Sequence, residues 1–325
     1  MLKELTGFSV ALGVCLTPVS SAQAADDYPT RPIRMVVAYP PGGSTDTAAR
    51  LLAERLGAAM KQSVTIENRA GAGGVIGANA VAKAAPDGYT LLFAASPELS
   101  IAGLTNKNLP YDPDRDFAPI SMVGQVPFLL VTNIDFPARD VQSLISYART
   151  HPGKVNFSSF GNNTSNHLGG ELFNVQAGIK MTHVPYRGSS PSLTDLMGGQ
   201  VQVTFDTVTA VLPLVQAGKI RALAVATPER SPLVPDLPTI AQSGVPGFSA
   251  GTWFGLLAPA GTPPVIVQKL SQTVGEILRS DDVAKQFTSR GIEPIASTPE
   301  ALRTFVNQEI QKWAGVASKI GIEAN

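Results

Sequence analysis

Two stretches of this sequence concentrate short hydrogen-bonding groups where an apolar run gives way to a helical pattern. The first is Ala38-Tyr39-Pro40-Pro41-Gly42-Gly43-Ser44-Thr45-Asp46, where the run Ile33 to Tyr39 ends in a glycine turn that opens a helix. The free N–H groups of a helix start, with a macrodipole worth about half a positive charge, attract an anion without lysine or arginine. Gly42 and Gly43 let the backbone approach a ligand closely. An ordinary turn capped by Ser44 or Thr45 accounts for the same residues. The second stretch runs from Phe157 through Ser158, Ser159, Phe160, Gly161, Asn162, Asn163, Thr164, Ser165 and Asn166 to His167. Its many short donors at one helix start suit a carboxylate. A capped loop, with Asn163 or Thr164 as N-cap and His167 bonded to backbone, explains it as well.

Single residues at strand ends extend the candidate set. Asp206 falls just past the apolar run Val201 to Phe205, where it either caps the next helix or meets a ligand, and Ser96 follows Thr90 to Ala95 in a similar position. Tyr186 and Arg187 could line a cleft or be a buried tyrosine and a surface arginine. Asp46 and Asp206 are acids beside a proposed anion site, so they either cap helices facing away or bind an ammonium or hydroxyl of the ligand.

Two other chemistries fail on spacing. Gly71-Ala72-Gly73-Gly74-Val75-Ile76-Gly77 follows a strand and precedes a helix, yet it reads G-x-G-x-x-x-G and the next strand ends in Ala95-Ser96 instead of an acid for ribose. A hydrolase built from Ser96, His167 and Asp206 lacks the G-x-S-x-G elbow. No two histidines stand at ligand spacing, so neither a metal nor a cofactor is expected.

Composition narrows the classes further. Of 325 residues, 44% are hydrophobic and 15% charged, with Lys+Arg and Asp+Glu at 25 each. That balance removes the electrostatic footprint that nucleic acid or an anionic membrane requires. Residues 1–24 read as a signal peptide: Lys3 gives a positive start, Phe8 to Val19 is mostly apolar, and Ala22-Gln23-Ala24 has the small-x-small form of a cleavage site. The sole cysteine, Cys15, lies inside this segment, so the mature chain has no thiol chemistry. A periplasmic location is expected.

The elements that must position these residues alternate. Strand-like runs at Ile33 to Tyr39, Val64 to Glu67, Thr90 to Ala95, Phe128 to Thr132, Val155 to Ser158, Met181 to Val184, Val201 to Phe205, Arg221 to Ala226 and Trp253 to Ala258 are mostly continuous in apolar residues, as strands covered on both faces are. Between them, Asp46 to Met60 places Ala48, Leu52, Leu56 and Ala59 on one stripe and Asp46, Arg50 and Glu54 on a charged face. Asp140 to Arg149 is a second helix. Thr262 with Pro263, and Thr298 with Pro299, read as N-caps followed by first helical residues. The pattern predicts an α/β fold with mainly parallel sheets. The run Ala118 to Thr132, interrupted at Gly124 and Pro127, reads as a strand leaving one sheet for another, and Trp253 to Pro259 as a second crossing. This predicts two lobes, 25–124 with 254–325 and 125–253, and a ligand cleft between them.

At this point a resemblance covers essentially the whole mature chain. Tyr28-Pro-Thr-Arg-Pro-Ile33, Pro40-Pro-Gly-Gly-Ser-Thr-Asp46, Glu67-Asn-Arg-Ala-Gly-Ala-Gly-Gly74, Pro86-Asp-Gly-Tyr-Thr90, Leu109-Pro-Tyr-Asp112, Asp116-Phe-Ala-Pro119, Ser165-Asn-His-Leu168, His183-Val-Pro-Tyr-Arg-Gly188 and Trp253-Phe-Gly-Leu-Leu-Ala-Pro-Ala-Gly-Thr-Pro263 resemble the tripartite tricarboxylate transporter receptors, also called Bordetella-uptake or Bug solute receptors. The resemblance implies a type II, Venus-flytrap periplasmic binding protein with a hinged cleft, a monomer without enzymatic activity. It also implies a small organic acid or amino acid ligand delivered to integral-membrane permease subunits. Carried over position by position, it points to Tyr39, Gly42, Gly43, Ser44, Thr45 and Asp46 in one lobe and Gly161, Asn163, Thr164, His167 and Asp206 in the other. The loop after the third strand, Ser96-Pro97-Glu98-Leu99-Ser100-Ile101-Ala102-Gly103, departs from the family pattern. Two other classes stay open on the residues: a periplasmic enzyme acting on a small organic acid, and a ligand-presenting partner of a sensor kinase.

Overall fold

The computed structural model describes residues 27–321, so the expected signal peptide and Cys15 lie outside the described residues. Strand β1 (Ile33–Val37) pairs in parallel with β2 (Val64–Asn68) and β3 (Thr90–Ala95). Apart from the exposed Arg34 near its start, β1 is apolar on both sides because helices cover both faces. Ile33, Met35 and Val37 share a core with Ala48, Leu52 and Leu56 of α1 (Ser44–Met60). Val36, on the opposite face, packs with Ala78 and Val81 of α2 (Val75–Ala82).

The inward row of α1 continues from Leu56 to Met60, while Ala59, expected in that stripe, is exposed. Asp46 also leaves the expected charged face: it is 3% exposed. The glycine-rich decoy is a short 3-10 turn (Ala72–Gly74) leading into α2. Gly77 is there for packing, since a Cβ on it would stand 2.8 Å from Ala38 Cα and push α2 off the end of β1.

A turn of π-helix at Pro97–Ile101 and α3 (Ala102–Thr105) lead to β4, a single strand of 17 residues, Phe117–Asn133. From Phe117 to Pro127 it pairs antiparallel with β9 (Gly251–Pro259), and from Phe128 onward with β7 (Val203–Thr207) and β8 (Ile220–Val225). The strand therefore runs straight through the expected interruptions. Gly124 sits at a bulge where the two-residue β10 (Glu293–Pro294) pairs, and Pro127 makes the last pair before the change of sheet.

In the second half, α4 (Val141–Thr150) starts on a capping box between Asp140 and Ser143. β5 (Asn156–Ser159) pairs in parallel with β6 (Thr182–Pro185) and β7. α5 (Ser165–Ala177), α6 (Ser189–Met197) and α7 (Val208–Gln216) follow β5, β6 and β7. Each half thus has three parallel strands beside antiparallel ones, so the sheets are mixed. The chain returns just before β9, where Ala250 N–H donates to Ala226 O; β9 itself stays wholly in the first sheet and does not cross.

Helix α8 (Pro264–Arg279) begins one residue later than the sequence predicts, because Thr262 Oγ1 donates to Pro259 O instead of capping. α9 (Asp281–Thr288) leads to β10. α10 (Pro299–Ile320) starts on the expected Thr298 cap, whose side chain accepts from Ala301 N–H. It spans both halves: Leu302 and Val306 join the first core, Trp313 and Val316 the second.

Candidate functional site

A cleft of about 580 Å³ opens between the halves. On one side α1 contributes Gly42, Gly43, Ser44 and Thr47. Gly43 is the N-cap and no side chain caps this end, so the first amides of α1 keep their donors. The turn is held from behind by Asp46. Its Oδ2 accepts from Gly42 N–H and from Arg50 Nε, both at 2.9 Å, and its Oδ1 accepts from Asn68 Nδ2 at 2.9 Å. Burial pushes the Asp46 carboxyl up, but Arg50, Gly42 and Asn68 together outweigh it and leave the group below the usual carboxylate range. Asp46 and Arg50 form an ion pair, which removes the repulsion that the sequence raised.

The facing wall comes from two helix starts. Ser189 and Ser190 open α6, whose N-cap is Gly188; Thr207 is the N-cap of α7, which adds Thr209 and Ala210. Neither start has a side-chain cap. One buried carboxyl group positions both: Asp206 Oδ2 accepts from Ser189 Oγ at 2.7 Å and Oδ1 from Thr207 N–H at 2.6 Å. Burial pushes Asp206 up to about 7, partly offset by the Ser189 and Thr207 donors.

From the second sequence stretch only Phe160 lines this cleft. Thr164 is the N-cap of α5, yet its hydroxyl turns back to Gly161 O at 2.7 Å and Asn166 Oδ1 at 2.8 Å, and caps no amide of the helix. Asn163 adopts the left-handed region (φ 61°) and donates its N–H to His167 Nδ1 at 3.1 Å. The His167 ring stacks on His183 at 3.9 Å between centroids. Burial lowers both imidazoles to about 4, His183 with a further push from His167.

Ser96 is fully buried, with its Oγ 2.7 Å from Ser165 Oγ at the start of α5 and 3.3 Å from Thr252 Oγ1. Thr45 is buried behind the α1 turn. Tyr39 OH donates to Glu98 Oε2 at 2.5 Å, and Ala95 N–H donates to Glu98 Oε1 at 2.6 Å. Burial raises Glu98 to about 7, partly offset by these donors, and raises Tyr39 well above its ordinary value. The departing loop thus carries a buried acid that ties Tyr39 to the end of β3. Tyr186 donates to Asp195 at 2.6 Å and Arg187 is exposed. Ser96, His167 and Asp206 serve three separate networks and do not form a triad.

Sequence reasoning passed over Thr47, Ser189, Ser190, Thr209, Arg290 and Ile292, all of which line the cleft. Gly188-Ser189-Ser190 had the same signature as the two stretches singled out, small polar residues where a strand yields to a helix. Arg290, at the close of α9, had no local signal.

Two α/β halves joined through a continuous strand, with a cleft walled by helix starts, define the two-lobed fold of periplasmic binding proteins. A family model described as the tripartite tricarboxylate transporter family receptor matches residues 48–322. The chain is 42% identical over 321 residues to protein BugT of Bordetella pertussis, spanning 98% of this chain and 97% of that one. Among solved structures it is similar to a Rhodopseudomonas palustris protein with adipate, at 40% identity and TM-score 0.83, covering 92% of this chain and 100% of that one. MatC from Rhodopseudomonas palustris with bound malate is 36% identical, with TM-score 0.77, over 89% and 99% of the two chains. The chain belongs to the tripartite tricarboxylate transporter receptor family, a family of solute receptors.

Proposed function

We propose that this protein is a periplasmic receptor that captures a small carboxylate in the cleft and delivers it to integral-membrane permease subunits of the tripartite tricarboxylate type. It acts as a monomer and performs no chemistry on its ligand. The observation that carries this reading is the meeting of three helix starts, α1 from one half and α6 and α7 from the other, none with a side-chain cap, on one cleft. Uncapped amides at the positive ends of helix dipoles form an anion site. The Gly42-Gly43-Ser44 turn, the Ser190 hydroxyl and the uncapped first amides of α6 and α7 make the direct contacts, while the Ser189 and Thr207 hydroxyls are held by Asp206. Asp46 and Asp206 serve the site by holding those turns. Tyr39, Thr45, Ser96, Gly161, Asn163, Thr164 and His167 form the supporting layer behind them. A ligand that touches both halves only when they are together stabilises closure. The adipate and malate in two similar structures agree with an organic acid as ligand.

Thermal shift across a panel of organic acids, sugars and cations tests this. A ligand at 100 times its dissociation constant adds about 2.7 kcal/mol. Stabilisation by acids supports the receptor reading; shifts from sugars or cations alone overturn it.

A further inference from the structure

Glu98 lies in the loop that departs from the family pattern, is wholly buried, and has no cation at ion-pair distance among the described residues. Burying an acid costs free energy unless donors hold it. Two do: Ala95 N–H at 2.6 Å and Tyr39 OH at 2.5 Å. The surroundings are shaped around the group. Gly74 has φ 98°, and a Cβ there would stand 2.8 Å from Glu98 Oε2, so the glycine-rich turn before α2 leaves the room that the carboxyl group fills. Tyr111 OH donates to Glu98 O at 2.7 Å and fixes the backbone beneath it.

Tyr39 carries this grip toward the cleft, because it is held at both ends: its OH by Glu98 and its backbone O by Asn68 Nδ2 at 2.9 Å. The same Asn68 nitrogen donates to Asp46 Oδ1, and Asp46 Oδ2 accepts from the N–H of Gly42, which lines the cleft. An unbroken path of hydrogen bonds thus joins the end of β3 to the cleft wall. Only Pro40 and Pro41 separate Tyr39 from Gly42, and their fixed φ passes a displacement of Tyr39 on to the turn instead of absorbing it.

We infer that Glu98 is a positioning residue for the ligand site: buried away from the ligand, it sets the turn at the start of α1 by fixing Tyr39. This rests on the carboxylate-receptor reading above. The test is isothermal titration of the full mature protein and its Glu98→Ala, Glu98→Gln and Asn68→Ala variants with acetate, succinate, malate, adipate and benzoate. Glu98→Ala weakens the binding of those acids that the unaltered protein takes by about tenfold, the worth of one buried hydrogen bond. Glu98→Gln, which keeps an acceptor for Ala95 N–H and a polar partner for Tyr39, restores most of the loss. Asn68→Ala cuts the path, so adding Glu98→Ala to it changes the affinity by less than about twofold. Where Glu98→Ala does not fold, Tyr39→Phe, which removes one hydroxyl, takes its place in the cycle. An affinity unchanged in Glu98→Ala, an equal loss in Glu98→Gln, or losses that add in full with Asn68→Ala overturns the inference and leaves the carboxylate reading standing. Failure of every acid to bind the unaltered protein overturns both.

Discussion

Ser189 Oγ stands 2.7 Å from Asp206 Oδ2, although a helix–strand connection separates the two residues in sequence. The same carboxyl group receives Thr207 N–H, so one fully buried acid sets the position of two helix starts that face the cleft. The acid beside the proposed anion site is thus part of its scaffold.

Asp206 supplies the first prediction. Its folded pKa, about 7, lies above the ordinary value of about 3.9, so the folded state holds the proton more tightly. The stability this contributes is complete below about pH 4 and is lost as pH rises through about 7. Asp206→Asn removes that dependence. Urea denaturation of both proteins from acid to neutral pH gives a stability difference that changes in the unaltered protein's disfavour as pH rises. A difference independent of pH would refute the assignment.

The stacked histidines move stability the other way. Both are lowered to about 4 in the fold, against about 6.5 when free, so their contribution is complete above about 6.5 and disappears as pH falls toward 4. Nuclear magnetic resonance titration of the imidazole protons should place the His167 and His183 midpoints near 4. Midpoints at the free-imidazole value would show that the stack is open in solution.

Ser96 and Ser165 join the two halves by a buried hydroxyl pair at 2.7 Å. A double-mutant cycle with Ser96→Ala and Ser165→Ala should return a coupling of about 1 kcal/mol in unfolding free energy. Additive single-variant losses would mean that the pair contributes nothing.

Two glycines should part in their effects. Gly77→Ala drives a methyl group to within 2.8 Å of Ala38 Cα and should cost about 1–3 kcal/mol, read as a lowered Tm. Gly43 has an extended backbone with nothing within 4 Å of a Cβ, so Gly43→Ala should keep its Tm while weakening acid binding at the cleft wall. Equal losses of stability in the two variants would contradict the packing role of Gly77.

What the sequence determined by itself was local. Apolar runs, glycine turns and cap residues act over three or four positions. The alternation of strands and helices, the Thr298 cap and the Gly42-Gly43 helix start were therefore legible without a structure, whereas Asp140, read as a helical residue, proved to be the cap of α4. The family motifs, spread in order along the chain, added the two-lobed fold and the receptor class. Tertiary structure decided which helix starts share a cleft, because that depends on contacts far apart in the chain. Asp206 draws α6 beside α7, whereas the α5 start, read from the same signature, turns its Thr164 hydroxyl onto its own loop. It also decided that Asp46 is buried as an ionised carboxylate, paired with Arg50 and held by the Asn68 amide, since burial and donor geometry govern a carboxyl group's state. Arg290 owes its place to the contact of Gly291 with Thr209, a packing relation between residues that no local pattern connects.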